Sequence, residues 1–383
     1  MKRCFIIIIA LSIIACKHSA TNRYSGLEVI DFAKSSMESD AELFETTFIK
    51  LETTDNSLIG GYIAQIEAAN EHLFILTGGG NINLLVFDLS GKFKGTIGKI
   101  GRGPGEYIVP ISFSIHFTNN VISVVDIAQK KIIDYSLDDY KFLADKNMEV
   151  DSFCFEYLGN DKIVWKNANY QDSLSDWSFI VTDTEQQFLN KFVKKDFKTG
   201  YSTGPAKNLY KLEEHVFAYA QYNPILYKFM GDKVVPAYHI KFGEHQLPPL
   251  DYLQKISADN NNFISTLNES NYISYYCIFD TNRTLCIFYS VTQNTYIGFY
   301  DKDNKQVYRF LKNEFQDKLR IGEMERPVGI IDDYVVTLID PFYLLEKNAQ
   351  GYLFDNRLYP FISEMQEDDN PILFLFKIKG MEP

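Results

Sequence analysis

Cysteine is scarce in this 383-residue chain, and the few present are poorly placed for cross-linking. Two of the five, Cys4 and Cys16, lie within the first sixteen residues. Cys154, Cys277 and Cys286 remain, an odd number that makes no disulfide framework. Cys277 and Cys286 flank the turn Asp280-Thr281-Asn282-Arg283-Thr284 and are expected as buried apolar thiols. There is no Cys-x-x-Cys and no His-Glu-x-x-His, so the commonest zinc motifs are excluded. Positive charge is also in deficit: 38 Lys and Arg against 50 Asp and Glu, a net charge of −12, with no basic block. Such a chain lacks the electrostatic footprint that a phosphate backbone requires, so no nucleic-acid partner is expected.

No apolar run is long enough to cross a bilayer. Cys4 to Ile14 is about a dozen residues, against the roughly 20 that a span requires. Following the positive Met1-Lys2-Arg3, it reads as the apolar region of a secretory signal, residues 1–15. The stretch Ile13-Ile14-Ala15-Cys16 looks like a lipobox, in which Cys16 is acylated and becomes the new N-terminus. Three acyl chains bury enough CH₂ groups for stable anchoring, where one chain binds only marginally. Residues 16–40 are then expected as a polar tether, with one apolar patch at Leu27–Phe32.

Aromatic residues are abundant, 30 Phe and 25 Tyr, which favours pleated, half-buried strands. The most distinctive stretch is Gly98-Lys99-Ile100-Gly101-Arg102-Gly103-Pro104-Gly105-Glu106-Tyr107, after the strand-turn-strand segment Leu84–Lys94. So much glycine around a proline makes a tightly shaped turn, with Gly103 and Gly105 expected at positive φ. A phosphate-cradle reading fails because Pro104 and Pro110 allow no helix to start on cue. The order Phe-Asp-x-x-Gly-Lys-Phe, Ile-Gly, Gly-x-Gly-Pro-Gly-Glu-Tyr, Pro resembles the blade crossing of NHL-type propellers. It is most similar to the six-bladed β-propeller lipoproteins of Bacteroidota. That resemblance implies a fold and an address in the cell envelope, anchored to the outer membrane. Surface-exported members of that group carry acids after the cysteine, whereas Lys17 to Leu27 hold none, which implies the periplasmic side.

A repeat supports the propeller. Apolar strands end beside turns at Asp88, Asp134, Asp183, Asp232, Asp301 and Lys377. The first three intervals are 46, 49 and 49 residues, close to the roughly 40–50 of a four-stranded blade. The last two, 69 and 76, are lengthened by Gln246–Asn271 and Pro341–Asn370, whose apolar spacing is near-helical. The expected fold is an all-β, six-bladed β-propeller of four-stranded antiparallel blades over residues 41–383, with two short helical inserts. Phe44–Glu52 is expected to supply the outer strand of the last blade and so close the ring. Both inserts follow even-numbered strands, so both should project from one face, forming a shared cap or covering their own blades.

Chemistry is sparse. Glu67, Asp126, Glu156 and Asn160 fall at or beside innermost-strand positions and are the candidate channel or binding residues, with any metal left open. His116, His215 and His239 are scattered. Two functions are therefore carried forward. One is a non-catalytic binding or scaffold module, monomeric and without a cofactor, for a protein, peptide or glycan partner. The other is a channel-centred, metal-dependent hydrolase, lactonase or lyase of the six-bladed type.

Overall fold

The computed structural model describes residues 26–34, 41–80, 82–168, 174–197, 207–259 and 261–379. The expected signal at 1–15 and the acylated Cys16 therefore lie outside the described residues. Six four-stranded blades are arranged in chain order. Blade one is Gly61–Ala69, His72–Gly79, Leu84–Asp88 and Phe93–Ile97. Blade two is Pro110–His116, Val121–Asp126, Lys131–Ser136 and Phe142–Asn147. Blade three is Ser152–Leu158, Lys162–Asn167, Trp177–Asp183 and Phe188–Lys194. Blade four is Leu209–Leu212, His215–Tyr219, Ile225–Met230 and Lys233–Lys241. Blade five is Ile273–Asp280, Thr284–Val291, Asn294–Asp301 and Gln306–Leu311.

Blade six takes Gly329–Ile331, Tyr334–Ile339 and Ile372–Ile378 from the end of the chain and Phe44–Lys50 from its beginning. The closing strand pairs antiparallel from Phe44↔Ile378 to Lys50↔Ile372. The innermost strands of blades six and one meet at Gly329↔Ile66, which joins the two blades into one sheet. Apolar side chains fill the wedges between blades. Phe44 of the closing strand, for example, packs tilted against Phe299 at 4.9 Å and edge-on against Phe315 at 5.1 Å.

Strands alternate in direction within a blade, so successive connections alternate between the two ends of the disc. First-to-second and third-to-fourth connections are short and define a turn face. The opposite, insert face carries the α-helical connections of the described residues. Helices α1 (Leu250–Ser257) and α2 (Phe263–Asn268) lie between blades four and five. Helix α3 (Lys312–Leu319) lies between blades five and six. Helices α4 (Pro341–Ala349) and α5 (Tyr359–Ile362) lie between the second and third strands of blade six. Helix α4 begins at Asp340, whose carboxylate accepts from Phe342 N–H at 2.8 Å, with Pro341 opening the first turn.

The inserts share a face but form no common cap. Leu253, Ile256, Phe263 and Leu267 make one cluster with Tyr222, whereas Leu344, Phe354, Leu358 and Ile362 join Phe315 over blades five and six. Helix α3 is a third helical element beyond the two expected.

The tether expected over residues 16–40 is corrected for residues 28–34. Glu28–Asp31 is a fifth strand on blade four, parallel to Lys233–Lys241 from Glu28↔Tyr238 to Asp31↔Lys241. Ile30 and Phe32 are both fully buried, which is why so short a segment docks.

The glycine turn is corrected in one detail. Gly105 adopts φ +68°, as expected, but Gly103 is not in the left-handed region. The reason for glycine at 101 and 103 is the Glu106 carboxylate folded back beneath them. It accepts from Gly103 N–H at 2.8 Å, and a Cβ at residue 101 would lie 2.0 Å from Glu106 Oε2.

Candidate functional site

The six innermost strands line a central channel of about 1090 Å³. Its insert-face mouth includes Gly78, Val109, Phe153 and Arg326; its turn-face mouth includes Phe117, Glu214, Asn282 and Asp332. Between them lies a polar cluster built from three blades and one connection. Glu67 stands on the first strand of blade one, Glu156 on that of blade three, and Lys207 on the segment leading into blade four. Lys207 Nζ contacts Glu67 Oε1 and lies 3.1 Å from Glu156 Oε1. Gln65, two residues from Glu67 and so on the same strand face, donates to Glu67 Oε1 at 2.7 Å and to Phe113 C=O at 2.7 Å. Ser114 donates to Glu156 Oε2 at 2.8 Å.

The charges respond to this setting. Burial, with the Glu67 charge adding, pushes the Glu156 carboxyl above the usual range against the pull of Lys207. Burial alone would lower Lys207, but the two carboxylates outweigh it and hold the ammonium above the ordinary lysine range. Two carboxylates thus share one cation.

Asp280 lines the channel toward the turn face and forms a second ion pair. Asp280 Oδ1 lies 2.6 Å from Lys302 Nζ, and Asp280 Oδ2 accepts from the Tyr210 hydroxyl at 2.9 Å. Burial raises the Asp280 carboxyl despite those partners. At the insert-face mouth the Arg326 guanidinium sits 5.8 Å over the ring of Tyr275, a cation–π geometry.

Of the four residues selected from sequence, the structure brings Glu67 and Glu156 together. Asp126 stands apart from the channel lining, fully buried beneath the glycine turn. It accepts from Ile108 N–H at 2.6 Å, Val109 N–H at 3.1 Å and Ala128 N–H at 2.9 Å. Burial pushes Asp126 up, but these donors and the Gln129 amide outweigh it and hold the carboxyl below its usual range. Asn160 is exposed in the turn after Leu158, outside the channel lining. His116 is buried and stacked on Tyr157 at 4.4 Å. Cys277 and Cys286 are buried and free.

Lys207, Gln65 and Ser114 escaped the sequence reading. Gln65 was within reach of it through the alternation with Glu67; Lys207 lies on a connection with no periodic signal. One pattern also went unnoticed: Gly200-Tyr201-Ser202-Thr203-Gly204 has Gly-x-Ser-x-Gly spacing. It lies outside the described residues, and the next described element is the strand Leu209–Leu212, whereas a nucleophile elbow leads into a helix. Among the described residues, no three His, Cys, Asp or Glu side chains gather as a metal-holding group.

A family described as 6-bladed beta-propeller, DUF5128, matches residues 17–338. A crystal structure from Bacteroides fragilis, described as a “Putative exported protein”, is similar at a TM-score of 0.86 and 36% identity, covering 90% of this chain and 98% of that one. A DUF4221 family member from Bacteroides vulgatus is similar at a TM-score of 0.51 and 10% identity, covering 88% and 97%. At that identity the second likeness concerns the fold alone. No curated protein matches.

Proposed function

The chain belongs to the six-bladed β-propeller family, and from that premise we propose that it is an exported, lipid-anchored envelope protein acting as a non-catalytic binding module. Its ligand, a protein, peptide or glycan, is received at the insert face and the channel mouth there. The observation that carries this reading is the pairing of the channel's acids. Glu67 and Glu156 are tied to Lys207, and Asp280 to Lys302 and Tyr210. Each of these carboxylates is turned toward a cation or hydroxyl of the protein itself, an arrangement that holds the channel in shape. The long helical connections, which in compact domains are commonly functional, emerge on one face.

Export is supported by the description of the 36% identical Bacteroides fragilis protein and by the signal-like residues 1–15. Anchoring is supported by Ile13-Ile14-Ala15-Cys16. The test of the non-catalytic reading is metal content and calcium response of purified protein beginning at Lys17. Substoichiometric metal and an unmoved melting temperature are expected. A stoichiometric metal, or a large shift at micromolar calcium, would favour the metal-dependent hydrolase or lyase instead.

A further inference from the structure

A bar of charges crosses the channel and limits how a ligand can enter it. Resting on the binding reading above, we propose that the insert-face mouth receives the end of a glycan that carries a carboxylate. Its sugar ring lies on Tyr62 and its carboxylate on Arg326.

The first strands of successive blades are neighbours around the ring, so blade one faces blade four across the axis. Glu67 belongs to blade one and Lys207 leads into blade four, so their contact crosses the lumen. Glu156 of blade three and Phe113 C=O of blade two, through Gln65, tie this bar to the wall between. A polymer threaded along the axis would have to break these pairs. An end group entering from the insert face meets them as a floor.

Two groups at that mouth are held in place before any ligand arrives, which lowers the cost of binding. The Tyr62 ring rests on the backbone of its cross-strand partner Gly78, where a Cβ would lie 2.5 Å from Tyr62 Cζ. Tyr62 is nevertheless 56% exposed, so one face of the ring is supported and the other is open. The negative face of such a ring suits the C–H face of a sugar, whose hydroxyls stay wet at the edge. A peptide end would instead bury an apolar side chain in a closed hollow.

Arg326 stands on the neighbouring blade six, restrained over the ring of Tyr275. Arg283, Arg309 and Arg357 each hold a carboxylate of the protein. Among the described residues none lies within ion-pair distance of Arg326, so its guanidinium is placed to take a ligand carboxylate bidentately. Ile111 and Phe153 continue the rim on blades two and three. A mostly apolar collar with one fixed charge is the pattern of a small-ligand site. The opposite mouth repels the same ligand, because Glu213, Glu214, Asp332 and Asp333 outnumber Lys211 there.

The test is calorimetric titration of the full-length protein in non-ionic detergent. The probes are oligosaccharides ending in glucuronate, galacturonate or neuraminate, each paired with its methyl ester, and peptides with a free terminal carboxylate. At least one acidic oligosaccharide is expected to bind, with its ester weaker by about ten-fold or more. Arg326→Gln should abolish that preference with the melting temperature unchanged, and Tyr62→Ala should weaken acid and ester alike. Failure of every acidic oligosaccharide to bind, an ester bound as tightly as its acid, or binding indifferent to either substitution would overturn the inference. Tighter binding of the peptides would also overturn it and leave the binding reading intact. That reading itself would fall if the wild-type protein retained nothing from envelope extracts.

Discussion

The ring of Phe32 occupies the space that a side chain at Gly298 would need. A Cβ built at residue 298 would lie 2.6 Å from Phe32 Cε1. Glycine inside a strand ordinarily weakens it, and here its absent side chain is what lets the N-terminal strand dock between blades four and five.

Gly298→Val should therefore cost about 1–3 kcal/mol by overpacking. The loss should concentrate in residues 28–34, read as faster amide exchange there. In a double-mutant cycle with Phe32→Ala, the second substitution should relieve much of the first, since both act on one contact. Additive losses would show that the two residues are uncoupled.

Ring closure gives a global effect. Phe44 is buried among Phe299, Phe310 and Phe315, so Phe44→Ala should cost about 3–5 kcal/mol. Ile49→Pro, in the same strand opposite Leu373, should also lower the melting temperature by removing a ladder hydrogen bond. Denaturant unfolding should remain a single transition at a lower midpoint. A separate early transition confined to blade six would contradict closure by this strand.

The glycine turn separates two kinds of strain. Gly105→Val should cost about 1–3 kcal/mol because residue 105 is left-handed. A Cβ there would also meet Phe142 at 2.7 Å. Gly103→Val should act through displacement of the Glu106 carboxylate, so Glu106→Ala should soften it and leave the Gly105→Val loss unchanged. Thermal unfolding of the three single variants and of the two doubles with Glu106→Ala checks this.

The pH dependence has two opposing signs. Asp126, held low, contributes stability present above the ordinary carboxylate range and lost as pH falls through its depressed value. Glu156, held high, makes its contribution at acid pH and loses it as pH rises through its raised value. Lys207→Met removes the shared cation and leaves the buried Glu156 without its ion partner; because Lys207 and Glu67 are only half-buried, the loss at neutral pH should be about 1–3 kcal/mol. That penalty should shrink toward acid pH as Glu156 takes a proton. Asp126→Asn should instead be most harmful at neutral pH with Lys207 intact, and its effect should fade on acidification. Urea unfolding at several pH values distinguishes the two.

In blades one, three and five the period was legible because the third strand ends in a local device. Asp88 accepts from Ser90 and Lys92 N–H, Asp183 from Glu185 and Gln187 N–H, and Asp301 from Asp303 and Asn304 N–H. Each of these three carboxylates builds the following turn, whereas Asp134 lies inside its strand and Asp232 in the turn after Met230, so only those three mark strand ends. Helix α3 was not legible because only Phe315 and Leu319 are apolar and buried there, too few for a periodic signal. The N-terminal strand read as tether because its identity lies in Ile30 and Phe32 meeting a slot at Gly298, a contact across more than 260 residues. The channel cluster was half legible for the same reason. Glu67 and Glu156 sit on strands with a readable alternation, whereas Lys207 is brought to them by ring geometry alone.

The most direct measurement of the binding account is mass-spectrometric identification of what immobilised protein beginning at Lys17 retains from envelope extracts, compared across surface variants. Phe342→Glu and Leu353→Glu alter exposed residues of the insert face, and Leu89→Glu one of the turn face. The account predicts a component held by the wild-type protein and by Leu89→Glu, lost from both insert-face variants, and released chemically unaltered. Retention that ignores the insert-face changes, or release of a cleaved or modified component, would contradict it.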